Sequence, residues 1–255
     1  AGSGTLDLDN VTFSGNSDGA IHSGFGGGTG TWTIIDSTFS NNEVNGSGGI
    51  VNTHSDRNLV ISGSIFSGNT KNAGVDGSAV TYLGGGEGNT VSISDSVFIG
   101  NTTNIGSCGA FGVSSLVGNV VINISNTIFD SNESFCGGVL SIGSGVAFAG
   151  ITLNITGSLF SNNTASVTSG RSGGAIYVQN DMELNLTNNV FSGNYAEGNG
   201  GAIQIFKDFG TIDINARHNT FYGNSSDTSG NDIYIETGAV GTAVFENNIF
   251  SSGGD

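Results

Sequence analysis

A Phe recurs nine times along this chain at intervals of about thirty residues, at Phe13, Phe39, Phe66, Phe98, Phe129, Phe160, Phe191, Phe221 and Phe250. After the first eight an Asn follows three residues on, giving Asn16, Asn42, Asn69, Asn101, Asn132, Asn163, Asn194 and Asn224, and at the ninth Gly253 stands instead. A sustained period of this size is the signature of a solenoid, because each repeat can bury its apolar face only against the next. The period also limits what can be read of function. Residues that recur for stacking are accounted for by stacking.

Aligned on Phe, each unit carries two apolar residues seven and five places upstream, as in Leu6/Leu8, Trp32/Ile34, Leu59/Ile61, Val91/Ile93, Ile122/Ile124, Leu153/Ile155 and Leu184/Leu186. This alternation predicts a half-buried strand. Three places before Phe stand Asn10, Asp36, Gly63, Asp95, Asn126, Gly157, Asn188, His218 and Asn247. All but His218 are types that tolerate a left-handed backbone, so a bend is expected before a second short strand that carries Phe. After a variable stretch comes a third strand with inward pairs Val80/Tyr82, Phe111/Val113, Leu140/Ile142, Ile176/Val178, Ile203/Ile205 and Ile233/Ile235. Three strands and three bends per unit describe one coil of a parallel β-helix, with eight to nine coils at a spacing of ~4.8 Å. The Phe and Asn columns are expected to form two structural ladders, the Asn amides bonding along the stack as they do in cross-β assemblies.

The composition fits this architecture. The chain has 45 Gly and no Pro among 255 residues. Many turns at positive φ call for Gly, and a continuous ladder of backbone N–H groups excludes Pro. The net charge of −16 reflects only five Lys and Arg. That argues against nucleic acid or anionic membrane as partners. No apolar run is long enough to span a membrane, and no membrane insertion by this segment is expected. One repeat domain, 1–255, is read as either a segment of a longer chain or a unit that stacks end to end, since the chain begins near Leu6 and ends with the strand-like Ile249 and Phe250. The residue just before Phe is apolar from Ile65 through Val97, Ile128 and Leu159 to Val190. These side chains either tuck into a corner or form a lateral contact stripe.

The motif that opens the third strand, Gly-Gly-Ala-Ile at Gly173–Ile176 and Gly200–Ile203, occurs with Phe-x-x-Asn. Together the two motifs resemble the repeats of the chlamydial polymorphic outer membrane proteins and of related bacterial β-helix adhesins. The resemblance implies a single right-handed parallel β-helix, a pectate-lyase-like solenoid, exported to the cell surface and non-catalytic. It implies a host or surface protein or a glycan as partner. Self-association into an extracellular filament is an alternative.

The sequence holds few of the arrangements that catalysis or metal binding needs. A second alternative is a polysaccharide-active enzyme, but no Gly-His-Gly or Arg-x-Lys string is present. The bases Arg57, Lys71, Arg171, Lys207 and Arg217 fall in different repeat positions, and acid pairs such as Asp7/Asp9 and Asp181/Glu183 fall on strands. Hydrolysis would need two carboxylates across one face. His22, His54 and His218 lie in distant coils, so no metal site or cofactor is expected. Ice binding would need a regular outward Thr grid, and Thr precedes Phe at only three of the nine coils. Sequons at Asn10, Asn45, Asn101, Asn123, Asn132, Asn154, Asn162, Asn185 and Asn224 are about as many as chance yields in so Asn- and Ser-rich a chain. Cys108 and Cys136 each precede a third strand in successive coils, which predicts a disulfide between neighbouring coils in an oxidising compartment.

Overall fold

The computed structural model describes residues 4–23, 28–46, 48–54, 57–73, 78–83, 87–103, 109–114, 118–142, 150–166, 172–179, 181–207 and 210–251. These residues form no helix, and every strand pairing is parallel. The strands assemble into four sheets that run the length of a β-solenoid, consistent with a right-handed parallel β-helix. The first and second sheets hold nine strands each, the fourth eight and the third seven. Seven consecutive coils, from that of Gly30–Ile35 to that of Ile212–Arg217, carry all four strands among the described residues, with partial coils on either side. The eight to nine coils expected from the Phe count are thus seven complete ones and two incomplete ones.

Each coil has four strands, not three. The additional one is two residues long, as in Glu43–Val44, Thr102–Thr103 and Tyr195–Ala196. It lies directly after the ladder Asn, where so short a pairing leaves no period-two pattern to read. Both bends that flank the Phe strand are left-handed. At all nine positions three before Phe, φ is positive, from Asp36 (48°) to Gly157 (61°), with His218 at 57°. Two residues after Phe there is a second left-handed column of Gly15, Asn41, Gly68, Gly100, Ser131, Asn162, Gly193 and Gly223. Phe therefore sits on a three-residue strand clamped between two turns, which explains why its neighbours are Asn, Asp, Gly and Ser.

The core fills as the alternation predicts. Trp32/Ile34, Leu59/Ile61, Val91/Ile93, Ile122/Ile124, Leu153/Ile155 and Leu184/Leu186 are buried, as are the inward residues of the fourth sheet from Val80 to Ile205. In the fourth sheet the intervening residues Asn52, Thr81, Ser141, Tyr177 and Gln204 are buried too. At Gln204 the covering chain comes from the coil before: the Gln204 carboxamide oxygen accepts from the Ser172 N–H, and the Ser172 hydroxyl donates to the Asn199 carbonyl. The Gly-Gly-Ala-Ile motif follows from the same crowding. Gly173 and Gly200 have left-handed φ, while a Cβ on Gly174 would stand 2.0 Å from the Gly201 carbonyl oxygen of the next coil. Ala175 and Ala202 are fully buried behind them.

Candidate functional site

The nine Phe rings form one continuous stack. Neighbouring centroids are 4.7–5.1 Å apart, from Phe13–Phe39 at 5.1 Å to Phe221–Phe250 at 4.8 Å. The spacing is the strand separation itself, so the sheet register imposes the stack. Beside it the eight Asn residues form an internal ladder from Asn16 to Asn224. Asn101 illustrates the unit. Its backbone N–H donates to Asn132 Oδ1 (3.0 Å), and its Nδ2 donates to the same oxygen (2.9 Å) and to the Phe66 carbonyl of the coil before (3.0 Å). Each carboxamide thus bonds in both directions along the axis. The ladder column has Gly253 in place of a ninth Asn, and the Asn224 Nδ2 donates to Asp232 Oδ1 (2.9 Å). Burial pushes the Asp232 carboxyl above its ordinary value, with the Asn224 bond opposing.

A second internal ladder was not foreseen from the sequence. Two residues before Phe, Ser37, Ser64, Ser96, Ser158, Asn189, Asn219 and Asn248 each present a side-chain oxygen to a backbone N–H of the preceding coil. The signal was available, because the column is Ser, Thr or Asn in eight of nine repeats. Small polar residues read as turn material when taken one repeat at a time. Of the two cysteines, Cys136 is buried and disulfide-bonded, and Cys108 lies outside the described residues.

The basic residues and histidines sit in separate surroundings. Lys71 is fully buried, its Nζ donating to the Gly48 carbonyl at 2.7 Å. Arg57 lies over the Trp32 ring at 5.6 Å and donates to the Gly4 carbonyl. Arg217 pairs with Glu246 at 3.3 Å, and Arg171 lies outside the described residues. His22 Nδ1 meets the Asn52 amide, and His218 serves as a left-handed bend residue. His22 and His54 are not in distant coils as expected, because their strands pair directly in neighbouring coils. Among the described residues no group of His, Cys, Asp and Glu could hold a metal ion. The sequon residues Asn101, Asn132 and Asn224 belong to the buried ladder, which removes them as acceptors for a glycan.

The outward face of the first sheet carries a shallow concavity of about 530 Å³, lined among others by Thr152, Asp181, Glu183, Asp213, Asn215 and Thr242. Two of its carboxylates hold the next coil. Asp181 accepts from the Thr211 N–H, and Asp213 accepts from the Thr242 hydroxyl (2.6 Å) and N–H (2.8 Å). The Thr242 hydroxyl, then its N–H, holds the Asp213 carboxyl below its ordinary value. Asp213 is therefore an ionised acceptor and a poor proton donor. On the second sheet, the residue before Phe points outward, so the corner alternative is excluded. Ile65, Ile128 and Val190 are 42%, 41% and 38% exposed.

A family model of the Chlamydia polymorphic membrane protein repeat matches residues 157–179 and 190–205. Each matched stretch contains one Phe-x-x-Asn, at Phe160/Asn163 and Phe191/Asn194, and one Gly-Gly-Ala-Ile. The repeats of this chain are thus similar to that repeat on the motifs that first suggested it. No curated protein and no solved structure matches the chain.

Proposed function

We propose that this chain is a non-catalytic β-helix of the cell surface or extracellular space, a rigid shaft whose outward faces contact a host or surface partner. The observation that carries the reading is the allocation of the recurrent polar side chains. The Asn ladder and the Ser/Asn ladder are both turned inward and used to fasten coil to coil. What remains for function is shape and surface. The matched repeat belongs by its description to Chlamydia membrane proteins, and this supports a surface location in general terms. Antibodies against the purified chain should bind intact cells of the source organism, and external protease should remove the signal. Labelling only after permeabilisation would overturn the proposal.

One observation favours a second reading, a polysaccharide-active enzyme: the concavity with Asp181, Glu183 and Asp213. Against it, Asp181 and Asp213 are occupied in holding Thr211 and Thr242. Purified protein should release neither reducing ends nor unsaturated uronates from pectin or alginate, with or without Ca²⁺. Turnover abolished by Glu183→Gln would establish the enzyme instead.

A further inference from the structure

The second sheet presents an apolar stripe that the fold does not require. Ile65, Val97, Ile128, Leu159 and Val190 are register partners on five successive strands, with Ile65, Ile128 and Val190 exposed and Val97 and Leu159 half-buried. The same column holds Thr12, Thr38 and Thr220 in other coils. Thr satisfies the strand preference for β-branching equally well, so the aliphatics are not needed to form the sheet. Four intervals at the strand spacing make the stripe about 19 Å long.

Three carboxylates flank it among otherwise neutral residues. On the bend side stands Asp95, exposed at a left-handed φ. On the other side stand Asp130 and the exposed Glu133. Among the described residues from Gly63 to Tyr195, the columns from that bend to the first residue of the third sheet contain no Lys or Arg at these five coils. Burial pushes the Asp130 carboxyl up, but hydrogen bonds from Ser161, Asn162 and Ser131 outweigh it, so the carboxyl lies below its ordinary value and stays charged.

We infer that this face docks an amphipathic basic helix of a partner protein, with aliphatic anchors on the stripe and Lys or Arg against Asp95, Asp130 and Glu133. Three considerations select this occupant. A second copy of the chain would bring another −16 charge against the same carboxylates. An anionic lipid surface would be repelled likewise. The backbone groups of these strands are already paired with both neighbouring strands, so a partner cannot add itself as a further strand on this face. A helix satisfies its own backbone and offers an apolar stripe with charged flanks at a 5.4 Å pitch. About 13 residues of helix span 19 Å. The inference deepens the surface reading by naming a face and a partner chemistry.

The test is fluorescence anisotropy with a labelled amphipathic peptide bearing Leu at i, i+3, i+4 and i+7 spacing and flanking Lys. Its Glu-for-Lys twin and a scrambled peptide of equal composition serve as controls. The chain should bind the Leu–Lys peptide and neither control. The triple variant Ile65→Thr/Ile128→Thr/Val190→Thr should bind it at least ~tenfold more weakly. Asp95→Asn/Glu133→Gln should weaken it comparably, with less salt dependence. Both variants use residue types suited to the site, since Asn already stands at that bend in Asn126 and Asn188. Equal binding of the scrambled peptide, or undiminished binding by both variants, would overturn the inference. So would self-association of the parent chain that the triple variant loses, or flotation of the parent chain with anionic vesicles. Because the assay uses purified components, a negative result leaves the surface location standing, and a location inside the cell would leave the binding result standing.

Discussion

At the residue scale, the buried carboxamide of the ladder Asn does more than fill space. Asn132 accepts from both Asn101 donors, donates from its Nδ2 to Asn163 Oδ1 and the Phe98 carbonyl, and is fully buried. Asn132→Ala removes these bonds and leaves two Asn101 donors without their acceptor. A loss of about 3 kcal/mol in urea unfolding is expected, since each stranded buried donor costs roughly 1–3 kcal/mol. A loss below about 1 kcal/mol would mean that water replaces the ladder. Asp232 terminates the same ladder at Asn224, and burial raises its pKa. A carboxyl raised in the folded state contributes stability below its unfolded pKa, and that contribution is lost as pH rises through the folded value. Asp232→Asn keeps an acceptor for Asn224 and carries no charge. It should therefore melt higher than the parent at neutral pH, with the gap closing as pH falls toward the carboxylate range. A gap that widens on acidification would show the charged form to be the stabilising one.

At the element scale, the coil is governed by what fits between stacked neighbours. Gly174 occupies a space with the Tyr195 backbone N and O 2.7 and 2.8 Å from a hypothetical Cβ, in addition to the Gly201 oxygen at 2.0 Å. None of these is the end of a flexible side chain. Gly174→Ala should cost about 3 kcal/mol, the upper part of the overpacking range, because backbone must move. Ala175→Gly, at a buried position without such a clash, should cost about 1 kcal/mol. Equal small losses would show that the loop relaxes freely. How much of the coil was legible follows from the same contrast. Phe129, Ile122 and Ile124 have one inward direction and a strong period, and they were placed correctly, as were the left-handed bends at Asn, Asp and Gly, while His218 adopts the same conformation without being one of those types. The two-residue third strand was not legible, because Glu133–Ser134 has no room for alternation. The Ser/Asn ladder at Ser158 and Asn189 was hidden because side-chain oxygens that cap N–H groups of another coil look locally like turn residues. The buried outer face of the fourth sheet, at Gln204, depends on chain folding back over it, which no local pattern announces.

At the scale of the whole molecule, a solenoid shares its stability between neighbouring coils, and the effect of one substitution depends on where along the rod it falls. Phe129 and Phe160 are fully buried, each ring held between two others: 5.0 Å and 4.9 Å centroid spacings on either side of Phe129, and 4.9 Å and 4.8 Å around Phe160. Phe250 stacks on Phe221 and leans toward Phe245, and is 49% exposed. Truncating a mid-stack ring removes its transfer free energy and opens a cavity that the fixed strand spacing prevents from collapsing. Phe129→Ala and Phe160→Ala should each cost roughly 3–5 kcal/mol. In the 255-residue chain Phe250→Ala should cost about 1 kcal/mol or less, because a half-exposed ring has half its surface in water and leaves no enclosed void. Denaturant melts of the three variants, followed by far-UV signal and by the fluorescence of Trp32, decide the matter. Trp32 is the chain's single Trp and reports from an early coil of the rod. If the rod unfolds as one cooperative unit, Phe160→Ala shifts both probes together. If the Trp32 transition stays put while the far-UV signal moves, the coils melt in blocks, and the ladders fasten neighbours without coupling the ends. Equal losses at Phe129 and Phe250 would contradict a shared internal stack altogether.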